Sequence, residues 1–161
     1  MKTNNTLYLH IGEQASDFVQ SRNNSEIRTT LNIGWKQLAE QFYTAFPPTY
    51  DDVDRAINFT EEVLAELEVK FRDESILQSD DPQVEVIAEL AFNTTKTEAG
   101  ETLVPQIELE NVFDRFAEIV KGLPASQDVI PDDLGFAAYL LIIREVMHHL
   151  DFRELLVKAS F

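Results

Sequence analysis

Hydrophobic and polar positions alternate where the chain begins: Leu7, Leu9 and Ile11 interleave with Thr6, Tyr8 and His10. That is the period of a strand with one buried face, and Gly12 ends it. A second, β-branched run from Ile27 to Ile33 lies between Asn23-Asn24 and Gly34. It predicts a partner strand, the two making a small N-terminal sheet or hairpin. Between them, Ala15, Phe18 and Val19 recur at helical spacing and predict a short helix.

From Trp35 the period lengthens. Trp35, Leu38, Ala39, Phe42 and Phe46 form a buried helical stripe that Pro47-Pro48 terminates, with Tyr43 off the stripe and expected at the surface. Thr49 followed by Asp52 is a helix-start pair, and Val53, Ala56, Ile57, Val63, Leu64, Leu67 and Phe71 then line one face for about six turns. The opposite face carries Glu61, Glu62, Glu66 and Glu68, as a solvated face would.

Residues 82–92 satisfy both periods. Val84, Val86, Ala88, Leu90 and Phe92 alternate, while Val84, Ile87, Ala88 and Ala91 fit a helix. Asp81 as cap with Pro82 at the first helical position favours the helix. Asn93 to Thr102 is polar and threonine-rich with Gly100, so it reads as an exposed loop or hairpin turn. Beyond Pro105, the stripe Leu109, Val112, Phe113, Phe116, Val120 and Leu123 predicts a helix ending at Gly122 and Pro124. Asp132 or Asp133 then caps a helix whose middle, Phe136 to Ile143, is apolar on every side and suits the centre of a bundle.

That helix runs into the chemically densest stretch, REVMHHLDFREL, Arg144 to Leu155. At about 100° per residue, Ile143, Val146, Met147 and Leu150 share the core-facing third. Arg144, Glu145, His148 and His149 take the remaining arc. Glu145 precedes the two histidines by three and four positions, both spacings that bring side chains together. A capped polar helix end accounts for these residues, since histidines suit the negative end of a helix, and Asp151 with Glu154 reads as the start of a further helix, FRELLVKASF. The alternative is a divalent metal site on Glu145, His148 and His149, with Asp151 and His10 as further ligands. Adjacent histidines diverge by about 100°, so His148 and His149 share an ion only if the helix ends between them.

Composition narrows the functional classes. The chain has 161 residues, 44% of them hydrophobic, which suits a single globular domain over 1–161. Its net charge of −16 is spread over both halves and opposes nucleic-acid phosphates. With no cysteine, thiolate catalysis and cysteine-bearing metal sites are closed. The five glycines are scattered, so no phosphate-cradling loop or dinucleotide fingerprint is legible. The amino-terminal stretch lacks the apolar core of a signal peptide and no apolar run approaches the roughly 20 residues of a span, which predicts a cytoplasmic chain without membrane contact. The apolar ending at Phe161 suggests docking on the body or on a second copy, hence a homodimer.

Together these patterns predict a mainly α (α+β) fold: about five helices bundled around Phe136 to Ile143, with the small N-terminal sheet beside them. The function expected by elimination is a non-catalytic protein-interaction or regulatory protein, whose acidic surface suits a basic protein partner. Two alternatives are a metal-dependent enzyme or metal-binding protein using Glu145, His148 and His149, and an acidic chaperone or decoy for a basic protein.

Overall fold

The computed structural model describes residues 6–22, 24–67, 71 and 76–158. Its centre is one mixed sheet of seven strands: β1 (Thr6–Ile11), β2 (Ser16–Arg22), β3 (Ser25–Leu31), β4 (Ile76–Ser79), β5 (Thr95–Lys96), β6 (Thr102–Pro105) and β7 (Glu154–Val157), in the spatial order β3-β2-β1-β4-β7-β6-β5. β1, β4 and β7 run parallel in the middle, and antiparallel strands extend both edges. The helical-bundle expectation is therefore wrong. The helices α1 (Trp35–Phe42), α2 (Tyr50–Leu64), α3 (Pro82–Leu90), α4 (Gln106–Val120) and α5 (Leu134–His149) are present, but the sheet is the organising layer.

Why these residues form these elements is clearest in β1. Leu7, Leu9 and Ile11 are buried on one face, while Tyr8 is half-buried and His10 exposed on the other. Opposite them, Ser16, Phe18 and Gln20 of β2 face the same buried side. The short helix predicted within 13–22 is instead this strand: two of its three inward positions are polar, which hides the alternation. α5 is buried from Phe136 to Ile143 because it packs against α1, α2, α3 and α4. The Thr49 start pair forms as expected, with Asp52 N donating to Thr49 Oγ1 at 3.1 Å and Thr49 N donating back to Asp52 Oδ2 at 3.4 Å. Within 82–92, Pro82–Leu90 take the helical alternative, burying Val84, Ile87 and Leu90.

Two further expectations fail. Tyr43 is buried, with a hydroxyl that finds no hydrogen-bond partner. Among the described residues after Asp151 there is no helix: Glu154–Val157 is the strand β7, inserted between β4 and β6, and residues 159–161 of the predicted helix lie outside the described residues. Asp151 sits at φ 56°, a left-handed turn that reverses the chain from α5 into the sheet. Among the described residues no helix is long and apolar enough to cross a membrane.

The carboxyl end of the parallel strands is assembled by close backbone approaches. The turn after β1 is held by Gly12 N donating to Ala15 O at 2.9 Å, and its carbonyls accept the first donors of α1, from Trp35, Lys36 and Gln37. A methyl group on Gly34 would stand 2.3 Å from the carbonyl oxygen of Glu13, so only glycine lets this turn and α1 meet. A methyl on Gly12 would fall 2.8 Å from Ala15 O and 3.4 Å from the ring nitrogen Nε2 of His10.

Candidate functional site

From β1 the chain turns outward to β2 and β3, then crosses back through α1 and α2 to β4 on the other side of β1. The carboxyl ends of β1 and β4 are therefore where successive connections part, the crevice in which open α/β sheets bind ligands. Four side chains converge there: His10 at the end of β1, Ser79 and Asp81 at the end of β4, and Tyr139 from the second turn of α5.

Asp81 is the hub, with 3% of its side chain exposed. Its Oδ2 accepts from Ile11 N at 2.9 Å and from the Tyr139 hydroxyl at 2.8 Å, and its Oδ1 lies 2.5 Å from His10 Nδ1. Asp81 N donates to Ser79 Oγ at 3.1 Å, which fixes the backbone beneath the carboxylate. A carboxylate only accepts, so the imidazole proton belongs on Nδ1 and the Nε2 lone pair is free. The side chain is 51% exposed. Burial first, and then the charge of Asp81, push the Tyr139 phenol well above its ordinary value, which keeps it a donor. Tyr8 donates to Asp80 Oδ1 at 2.6 Å on the open face of the sheet, and its phenol is likewise raised, by burial and then by that bond. A solvent-facing imidazole oriented by a buried carboxylate can take a proton from a bound water or hydroxyl.

The crevice is acidic at its rim. Asp80 and Glu13 are exposed there, and Lys36, the cation beside Glu13, stands 4.0 Å from its carboxylate. An unaccompanied polyanion would be repelled, whereas one carrying a hard cation would not.

Of the residues singled out from the sequence, His10 lies in this crevice, while Glu145, His148, His149 and Asp151 lie at the opposite pole, the carboxyl end of α5. Glu145 is completely buried, not on the solvent arc, because α2 packs over it. His149 Nε2 lies 3.1 Å from Glu145 Oε2 and 3.5 Å from Glu61 Oε1 of α2. These three offer ligand atoms within 4.8 Å of one another, the one such set among the described residues. His148 stays outside it: its ring meets that of His149 edge-on at 5.5 Å and its Nδ1 approaches Glu110 at 3.9 Å. Asp151 and His10 do not join this set. Sequence spacing pairs Glu145 with His149, but it has no means of supplying Glu61 from another helix. The crevice itself was missed. Its one legible trace is a strand ending in His-Ile-Gly and an Asp-Asp-Pro at a helix start, and the aspartate had been spent as a cap. An open groove of about 460 Å³ between α3 and the β5–β6 hairpin, with Glu85, Thr94, Lys96 and Thr102 on its walls, contains neither cluster.

No protein-family model matches the sequence, and no curated protein does. Solved structures do match. A PPX-GPPA enzyme from Aquifex aeolicus aligns with a TM-score of 0.76 at 18% identity, over 98% of this chain and 54% of that one. The type II variant of the A. aeolicus Ppx/GppA phosphatase gives 0.77 at 17% identity over 98% and 54%. An exopolyphosphatase from Cytophaga hutchinsonii gives 0.72 at 18% identity over 99% and 54%. The fold is thus shared with phosphatases, and the chain spans about half their length. This corrects the expectation of a non-catalytic interaction protein on a helical bundle, which rested on finding no convergent catalytic set: the sheet brings His10, Asp81 and Tyr139 together across 129 positions of sequence.

Proposed function

We propose that this chain is a phosphohydrolase unit of the exopolyphosphatase type, cleaving a terminal phosphoanhydride or phosphoester in the crevice at the carboxyl ends of β1 and β4. The observation that carries this is the half-exposed His10 imidazole held by the buried Asp81 carboxylate at that position, in a fold shared with phosphatases. The cytoplasm is the compartment in this proposal.

His10 Nε2 accepts a proton from a water as the water oxygen bonds to phosphorus, and the bridging oxygen departs with the rest of the chain. Asp81 holds the ring in the productive tautomer and stabilises the imidazolium that forms; Tyr139 and Ile11 N hold Asp81. Glu13 and Asp80 would supply oxygen donors to a hard divalent cation, which would neutralise phosphate charge at the acidic rim. The substrate is accordingly the magnesium complex of a short condensed phosphate.

The test is orthophosphate release from inorganic triphosphate with magnesium. His10→Ala should lower kcat by about 10²-fold or more, the usual scale of a lost general base, with an unchanged circular dichroism spectrum. No release by the folded wild-type chain, or equal rates in the variant, would refute the proposal.

A further inference from the structure

We infer that Glu61, Glu145 and His149 form a binding site for one divalent cation of the zinc class, which clamps α2 to α5 at the pole opposite the crevice.

Geometry comes first. Tetrahedral bonds of 2.0–2.1 Å place ligand atoms about 3.3 Å apart. His149 Nε2 stands 3.1 Å from Glu145 Oε2 and 3.5 Å from Glu61 Oε1, which brackets that edge. One imidazole and two carboxylates leave a fourth position for water, and His149 at 24% and Glu61 at 42% exposure give it a path to solvent.

The second observation is the state of Glu145. Its side chain has no exposure, yet Oε2 accepts no hydrogen bond, although it is aimed at the His149 ring. A buried carboxylate oxygen without a donor is costly, and a cation beside it removes that cost. Arg144 satisfies only the other oxygen, Oε1, at 2.5 Å, and is itself shared with Glu110.

Helix ends favour the same charge. His149 is the last residue of α5, and Glu61 lies in the last turn of α2. The carboxyl end of α5, with its partial negative charge, therefore lies at this site. Imidazole with carboxylates is a donor set that zinc and neighbouring transition ions take ahead of calcium or magnesium. Along α5 the site lies about 9–15 Å from Tyr139 at 1.5 Å per residue, so it does not depend on the proposed chemistry at the crevice.

The experiment is equilibrium dialysis of the metal-stripped chain against Zn²⁺, followed by elemental analysis and thermal melting. The wild-type chain should hold one equivalent and melt higher with Zn²⁺, because the ion binds only the folded arrangement. His149→Gln and Glu61→Gln should each weaken binding at least about tenfold and abolish the shift in Tm, while His148→Gln should keep both. Circular dichroism confirms that the variants are folded. If His149→Gln does not fold, Glu61→Gln, at a partly exposed position, decides alone. Substoichiometric zinc on the wild type, full retention by the folded His149→Gln or Glu61→Gln chain, or equal loss in His148→Gln would overturn the site.

Discussion

Exchanging Asp81 for asparagine is expected to lower turnover of magnesium triphosphate by about 10²–10⁴-fold, with little change in KM. The direction follows from donor counting. Two donors, Ile11 N and the Tyr139 hydroxyl, converge on Oδ2, so an asparagine must place its carbonyl oxygen there and turn its amide nitrogen toward His10 Nδ1. That nitrogen donates where the carboxylate accepted. Nδ1 must then carry the lone pair and Nε2 the proton, so the base facing solvent is gone while the shape of the site survives. A loss of about 1–3 kcal/mol in stability accompanies it, from weakened bonds to a buried group, and leaves the chain folded. A kcat that stays within a factor of two in a folded Asp81→Asn chain would show that His10 and Asp81 are a structural pair only.

The second large effect concerns the fold. Leu155→Pro should abolish cooperative unfolding. Leu155 is fully buried in β7, paired with Leu77 of β4 on one side and Val104 of β6 on the other. Proline removes a ladder donor in the middle of a sheet and leaves a buried acceptor unpaired, at about 1–3 kcal/mol, and deletion of a buried leucine costs about 2–5 kcal/mol. The sum rivals the whole stability of a domain this size, about 5–15 kcal/mol. Leu155→Ile, of equal volume and strand-compatible, should stay folded and lose less than about 1.5 kcal/mol. A Leu155→Pro chain with a sharp melt only a few degrees lower would mean that this segment is not a central strand.

That contrast shows what the sequence could and could not carry. α1, α2, α4 and α5 were legible because their apolar residues repeat over two turns or more, and because Thr49, Asp133 and the prolines punctuate them. β4 and β7 have four residues each, too few to establish alternation against their surroundings. In β7 a local start signal, Asp151 with Glu154, outweighed it on paper. In the folded chain, hydrogen bonding to two neighbouring strands decides instead. The sites divide the same way. Glu145 and His149 are four apart on one helix and could be paired from spacing. Glu61, His10, Asp81 and Tyr139 acquire meaning only through contacts between elements, which a single sequence does not encode as spacing. Asp81 misled in a further way: it stands at the start of α3, but its side chain caps nothing there and turns to β1 and α5.

The most direct measurement is a titration of the isotope-labelled chain with magnesium and a non-hydrolysable imido analogue of triphosphate, followed by nuclear magnetic resonance. Binding in the crevice predicts saturable shifts of the His10 ring and of the amides of Gly12 to Ala15, Asp80, Asp81 and Gln83. No saturable shift, or saturable shifts confined to other surfaces such as the α3–β5 groove, would contradict it.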